Sequence, residues 1–127
     1  MDDNHSYPVI MNTPNCYGSV FSGRNDVGIS GPEADIFNLE YSFVRAGTPL
    51  QVGDVYGFTY VADDGSLHLT HISVITSLPQ GETITDPTDP RICVHTIEGP
   101  NGPPYDGPPF GDPMSTKNPI IKRPIAK

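Results

Sequence analysis

Histidine and aromatic side chains in the middle of the chain are the residues that could do chemistry. Tyr56, Phe58 and Tyr60 alternate along one segment, and His71 follows in the next. An imidazole titrates near neutral pH, so a histidine beside aromatic rings can serve as a base or as the polar group of an apolar pocket. Tyr56, Phe58, Tyr60 and His71 are therefore a candidate ligand-binding set. Against it stands the more common case of a packed or surface histidine.

The sequence predicts no metal site and no cofactor. His68 and His71 are three residues apart, and on a strand this spacing directs two side chains to opposite faces. Asp63 and Asp64 fall in a predicted turn, which offers fewer oxygen ligands than calcium requires. The turn explains both aspartates without a bound ion, since aspartate is favoured there.

Neither the cysteine spacing nor any common catalytic motif in the sequence supports enzymatic chemistry. Cys16 and Cys93 lie in no CxxC or Cys/His pattern, and both a pair of thiols and a disulfide remain open. No GxSxG elbow and no glycine-rich phosphate loop is present. The sequence favours a non-enzymatic protein, and no catalytic residue is assigned.

A β-hairpin must position the candidate ligand-binding set. Residues 55–62 and 67–76 are rich in β-branched and aromatic residues, and they flank Asp64-Gly65, a favoured two-residue hairpin turn. This turn predicts a register with Phe58 opposite His71. Both faces of the hairpin are then largely apolar, so each needs a cover from the N-terminal segment, the tail or another subunit.

Several turn and strand residues are similar to those of the allene oxide cyclase-like barrels. They are Val52-Gly53-Asp54, Phe58, Asp64-Gly65 and Cys93 in a later strand. The similarity covers less than half of the chain and rests on residues that are common in β-turns. It implies a small β-barrel, and no catalytic residue is carried over from it.

Further strands are predicted on both sides of the hairpin. Strict alternation of apolar and polar residues predicts a half-buried strand over 36–43. Residues 7–11 and 17–21 are short β-capable pieces between turns, and residues 91–98 predict one more strand. The predicted fold is mostly β, a small antiparallel β-barrel or sandwich with an irregular N-terminal segment.

The C-terminal region has the composition of an extended arm. Residues 99–127 hold eight of the 15 prolines, so we predict a β domain over 1–98, with core strands in 36–98, and a Pro/Gly-rich tail over 99–127. The tail either contacts a protein partner or packs on its own domain through Tyr105, Phe110, Ile120 and Ile121. The predicted partner-contact residues are Pro103, Pro104, Tyr105, Pro108, Pro109, Phe110, Ile120 and Ile121.

Charge and hydropathy restrict the partners. The chain carries seven Lys and Arg against 15 Asp and Glu, a formal net charge of −8. This balance argues against nucleic acid, because binding to nucleic acid depends on cations that meet phosphates. No apolar run is long enough to span a membrane, and no signal peptide is visible, so the compartment stays open.

Two functions remain as hypotheses. The first is a non-enzymatic structural or assembly subunit of a homo- or hetero-oligomer, such as a virion or filament component, that uses its sheet face and its C-terminal arm. The alternative is a small β-barrel that binds or transforms an apolar small molecule at Tyr56, Phe58, Tyr60 and His71. An aromatic set with one polar group is typical of such pockets.

Overall fold

The computed structural model describes residues 9–30, 33–98, 101–116 and 119–125. Within them, short strands alternate with two α-helices and one 3-10 helix. In chain order the elements are β1 (Val9–Met11), α1 (Cys16–Ser22), β2 (Gly28–Ser30), α2 (Glu33–Leu39), β3 (Tyr41–Phe43), β4 (Val55–Val61), β5 (Leu67–Ser77), β6 (Cys93–Ile97), β7 (Pro104–Gly107), the 3-10 helix (Pro109–Gly111) and β8 (Ile120–Pro124).

The strands form two antiparallel sheets. β1 pairs with β2, and the other six form one sheet in the order β3-β8-β4-β5-β6-β7. The predicted mostly-β class is therefore confirmed. Closure into a barrel is not, because among the described residues β3 and β7 each pair with one neighbour and leave the sheet open at both ends. No described strand pairing makes a second large sheet, so the sandwich is not confirmed either.

The β-capable segment at 17–21 belongs to helix α1. Asn15 caps this helix, since its Oδ1 accepts a 2.9 Å hydrogen bond from the Gly18 N–H. The same oxygen accepts the Ile29 N–H at 3.0 Å, which ties the helix to β2. Gly23 ends the helix in the left-handed conformation, with φ of 68°. Capping at both ends overrides the strand preference of this short segment.

The strand predicted over 36–43 is wrong for residues 36–39, which belong to α2, and correct for β3. The apolar alternation is misleading because Phe37 is buried whereas Leu39 is 70% exposed. Over so short a run, a period of two cannot be told from one turn of helix. Gly57 lets the helix approach β4 closely, since a Cβ there would lie 2.6 Å from the Phe37 ring.

The predicted hairpin register is confirmed in the half of the hairpin that lies away from the turn. Phe58 lies opposite His71 and Tyr56 opposite Ser73, as the Asp-Gly turn implied. Nearer the turn the register differs by one residue, because Val61 rather than Ala62 lies opposite Leu67.

A three-residue loop and a β-bulge account for that offset. The Ala62 N–H donates to the Ser66 carbonyl at 2.8 Å, so the loop is residues 63–65 rather than the predicted pair. Gly65 supplies the positive φ of 85° that this loop needs. The pairing shifts between Phe58 and Thr59, which leaves Thr70 as the extra residue and restores the predicted register.

The chain itself covers both faces of the hairpin. Both apolar clusters include residues of β4 and β5. The loop-side cluster consists of Leu50, Tyr56, Phe58, Ile75, Ile84, Ile92, Val94 and Ile121. The helix-side cluster consists of Cys16, Phe37, Val55 and Ile72, with side chains of α1 packed on it. Cys16 is buried and Cys93 is half-buried.

The C-terminal region differs from the predicted extended arm. β8 lies inside the large sheet, between β3 and β4, and Tyr56 of β4 is opposite Ile121. β7 pairs with β6 at the other end of the sheet. Pro104 begins β7 and Pro124 ends β8, positions where a missing N–H interrupts little of the ladder. The proline-rich composition therefore gave no indication of β7 and β8, which lie in the same sheet as β4 and β5.

Candidate functional site

A buried histidine–carboxylate pair joins β5 to the segment after the 3-10 helix. His71 is fully buried and Asp112 exposes 2% of its surface. Nε2 of His71 lies 2.8 Å from Oδ2 of Asp112, and Oδ1 of Asp112 accepts a 2.9 Å hydrogen bond from the Met114 N–H. Both oxygens of this carboxylate are thus partnered. The pair fixes the C-terminal segment onto the loop side of the sheet.

Glu98 brings a second carboxylate to this pair. It directly follows β6, and single ligand atoms of His71, Glu98 and Asp112 lie within 4.8 Å of one another. Both Glu98 oxygens and Nδ1 of His71 are buried and have no hydrogen-bond partner among the described residues. We call His71, Glu98 and Asp112 the buried cluster.

The two carboxyl groups of the buried cluster differ in pKa. Burial, and then the proximity of Asp112, raises the pKa of Glu98 to about 7. Burial also acts to raise the pKa of Asp112, but the hydrogen bond from His71, the proton on Glu98 and the hydrogen bond from the Met114 N–H together outweigh it, and the pKa is lowered. Between the two pKa values, one proton therefore resides on Glu98 while Asp112 is ionised.

This difference predicts that stability falls as pH rises. The unfolded chain releases the Glu98 proton near its ordinary pKa of 4.5, whereas the folded chain holds it to about 7. Between these values the folded state binds more protons, so the free energy of unfolding falls with pH. We expect a fall of about 1–3 kcal/mol between about pH 5 and about pH 8, measured by urea unfolding in EDTA.

Glu98→Gln is the matched variant for that experiment. It removes the titrating carboxyl group and keeps a side chain of the same shape, so its stability profile should be flatter than that of the wild type. A fall of the same size in the variant would assign the pH dependence to another group and contradict the account.

Aromatic rings pack around the buried cluster. The Phe58 ring stacks on His71 at 6.1 Å between centroids, and the Phe110 ring meets Phe58 edge-on at the same distance. Of the four residues predicted to bind a ligand, Tyr56, Phe58 and His71 come together as fully buried core. Tyr60 is separated from them, since it is 51% exposed and stacks on His68 at 5.2 Å. The set packs on itself rather than lining an open pocket.

The residues predicted as partner contacts mostly contact their own chain. Phe110 packs on Tyr56 and Phe58, and the Tyr105 hydroxyl donates to the Pro108 carbonyl at 2.6 Å. Tyr105 and Phe110 therefore make contacts within the chain. Pro109 and Ile121 are buried, Tyr105 and Ile120 are half-buried, and Pro103, Pro104, Pro108 and Phe110 are exposed.

Sequence reasoning missed two members of the buried cluster. Asp112 lies between Gly111 and Pro113, in a segment whose composition predicts an extended tail. Glu98 stands at the end of a predicted strand, with no spacing that relates it to His71. Only the packing of the C-terminal segment on β5 brings the three residues together.

A second candidate surface lies beside edge strand β3. Leu39, Phe43 and Ile125 are 70%, 69% and 49% exposed, and we call these three residues the edge patch. Shallow pockets border the patch, and each includes at least one of its members. The pocket of about 180 Å³ next to Lys122 is lined by Phe37, Asn38, Phe43, Thr59, Leu69, Ile120 and Lys122.

Lys122 holds the Phe43 ring of the edge patch. Its ammonium group lies 4.5 Å from the Phe43 ring centroid and donates hydrogen bonds to the Phe37 carbonyl at 3.1 Å and to Asn38 Oδ1 at 3.0 Å. Lys122 is 4% exposed, and burial lowers its pKa. A charge held between these carbonyl oxygens attracts the face of the ring above it.

Comparison with known proteins adds no relative. No family model, no curated protein and no solved structure matches the chain. Within the described residues, no helix has the length and apolar character needed to cross a membrane.

Proposed function

We propose that the chain is a non-enzymatic subunit of a homo-oligomer and that two copies join through edge strand β3. The observation that carries this proposal is the edge patch: Leu39, Phe43 and Ile125 lie exposed where the large sheet ends. Monomeric proteins usually protect such edges with charges, prolines or a covering segment. Apolar side chains beside an open strand edge are instead typical of a surface that pairs with another chain.

The backbone of β3 supports pairing with a second copy. The Val44 N–H donates to the Ile121 carbonyl and the Ile125 N–H donates to the Glu40 carbonyl, both at 2.9 Å. Even-numbered residues of this segment therefore face β8, and the N–H and C=O groups of Tyr41 and Phe43 point away from the sheet. Two β3 strands related by a two-fold axis at Ser42 could exchange four hydrogen bonds. The result would be one continuous antiparallel sheet across both copies.

Phe43 is suited to be the main contact residue of this interface. Aromatic residues dominate binding energy when partner contacts bury them, and a side chain already held in place loses less freedom on binding. The contact with Lys122 described above provides that support. The contact with Lys122 favours one position of the Phe43 ring, which is otherwise exposed.

The proposed contact surface is the sheet edge at β3, and not the sheet face and C-terminal arm that the sequence suggested. The two apolar faces that motivated an assembly role are covered by the chain itself, and β7 and β8 lie within the sheet. The small-molecule alternative gains less support, because Tyr56, Phe58 and His71 pack on one another. Neither His71 nor any of the three aromatic residues of the candidate ligand-binding set lines one of the shallow pockets beside the edge patch.

Size-exclusion chromatography with light scattering, from micromolar to millimolar protein, tests the proposal. The mass should rise toward twice the 13.7 kDa of one chain. Phe43→Ser should weaken dimerisation at least about tenfold, the loss expected for a central aromatic contact. Because both copies carry a net charge of −8, added salt should strengthen association.

Val61→Ser is the matched control. Val61 is 67% exposed, close to the value for Phe43, but it lies at the turn end of β4, away from the edge patch. It should dimerise like the wild type. A monomer at every concentration would contradict the proposal, as would equal effects of the two substitutions.

A further inference from the structure

We propose that His71, Glu98 and Asp112 bind one divalent transition-metal ion inside the domain. The ion would link the centre of β5, the end of β6 and the segment after the 3-10 helix. The proposed site is structural, since it joins three distant parts of the chain. It is independent of the dimer, because the buried cluster lies on the loop side of the sheet and not at β3.

The first support is convergence of suitable ligands. One imidazole and two carboxylates each offer an atom within 4.8 Å of the others. This is a nitrogen and oxygen set that suits Zn²⁺, Fe²⁺ or Mn²⁺, and three protein ligands leave a position for water. The nearest pair, His71 Nε2 and Asp112 Oδ2, is 2.8 Å apart and shares a hydrogen bond, so the metal would take the place of the proton between these two atoms.

The second support is the set of donor atoms without partners. Both Glu98 oxygens and His71 Nδ1 are buried and lack a hydrogen-bond partner among the described residues. A buried carboxyl group is costly in its ionised form unless it is paired or bound to a metal, and without a metal Glu98 meets this requirement only by holding a proton that faces Asp112. A cation would replace that proton, which is released to solvent as the metal binds.

The third support is the charge balance. In the buried cluster, two carboxylates face a single imidazole. The two cationic side chains of β8 are bound to other groups. Arg123 pairs with Asp54, and the Lys122 ammonium is bound at Phe37 and Asn38. One divalent ion would neutralise both carboxylates once the proton on Glu98 is displaced. Aromatic packing from Phe58 keeps the surroundings of low polarity, which strengthens ion–ligand attraction.

A surface histidine–aspartate pair offers an internal contrast. His95 Nδ1 lies 2.8 Å from Asp106 Oδ1, and its Nε2 lies 3.0 Å from Asn25 Oδ1. Both ring nitrogens are occupied, and no third metal-ligating group joins this pair among the described residues. The pair therefore serves as a matched control that has the same two residue types without the proposed site.

Competition between the protein and a chromophoric zinc chelator tests the proposal. After EDTA treatment and removal of the chelator, the full chain should take up one equivalent of Zn²⁺, and its unfolding temperature should rise. Co²⁺ should give absorption bands of a site with nitrogen and oxygen ligands. Glu98→Gln should weaken the apparent Zn²⁺ affinity at least about tenfold, the loss that even outer-shell partners cause, whereas Asp106→Asn should leave it unchanged.

Two results would overturn the proposal. One is the absence of a Zn²⁺-dependent rise in unfolding temperature, and the other is equal binding by wild type and a folded Glu98→Gln variant. Asp112→Asn provides a second test of the same ligand set if Glu98→Gln does not fold, and circular dichroism checks both variants. Binding should persist in monomeric Phe43→Ser, so failure of the dimer and failure of the metal site are distinguishable.

Discussion

Replacing Phe58 by alanine is expected to lower the free energy of unfolding by about 3–5 kcal/mol. Phe58 is fully buried and stacks on Tyr56 and His71, with Phe110 packed on it edge-on. Its removal would leave a cavity between β4 and the C-terminal segment, and the surrounding rings could close it only in part. Urea unfolding followed by circular dichroism measures the change.

Tyr60→Ala is the control for this prediction. Tyr60 lies two residues further along β4 and is 51% exposed, so its truncation should cost less than about 1 kcal/mol. Similar losses for the two variants would contradict the packing described here. The result would then indicate that Phe58 and Tyr60 do not differ in burial as described here.

The second large effect is expected from Arg123→Ala. Arg123 of β8 makes two hydrogen bonds to Asp54, from Nε to Oδ1 at 2.7 Å and from Nη2 to Oδ2 at 2.9 Å. Asp54 is fully buried, and the substitution would leave its charge without the arginine. Arg123 is 30% exposed, so water reaches part of the pair, and we expect a loss of about 2–3 kcal/mol, at or below the range for a fully buried pair.

Arg24→Ala separates this effect from loss of a surface charge. Arg24 and Asp26 form an equally short pair at 2.7 Å, but both side chains are more than half exposed. Exposed pairs contribute little, so this variant should unfold like the wild type. If Arg123→Ala also behaved like the wild type, residues 120–124 would not be an integral part of the sheet.

The sequence carried enough information to predict the central hairpin. β-branched and aromatic residues flank an Asp-Gly pair, and this local chemistry set the pairing of Phe58 with His71 correctly. It could not decide between a two-residue and a three-residue loop, because Gly65 suits both. Nor could it place the bulge at Thr70, whose hydroxyl donates to the Phe58 carbonyl at 3.0 Å.

Helix α2 shows the limit of periodicity over short runs. Phe37, Leu39, Tyr41 and Phe43 alternate as in one strand, but the chain changes from helix to strand between the second and third of these residues. Phe37 reaches the core from a helix because Gly57 leaves space for its ring. This contact joins residues 20 positions apart, so no local pattern contains it.

The C-terminal strands and the buried cluster depend on tertiary contacts in the same way. Ile120 and Ile121 form a strand because β4 offers them an edge to pair with. Asp112 becomes a partner of His71, 41 residues earlier, because that pairing and the 3-10 helix hold the segment on the sheet. Composition predicts an extended conformation for this segment. It does not indicate which strand the segment pairs with, or which side chain Asp112 contacts.

Hydrogen exchange of the Tyr41 and Phe43 amides, measured by NMR at low and high protein concentration, tests the proposed β3 interface most directly. Both N–H groups point away from β8, so a lone copy should exchange them rapidly, and pairing with a second β3 should slow them as concentration rises. The Val44 amide, which already donates to Ile121, should change much less. Rapid, concentration-independent exchange at Tyr41 and Phe43 in a sample that light scattering shows to be dimeric would place the contact elsewhere.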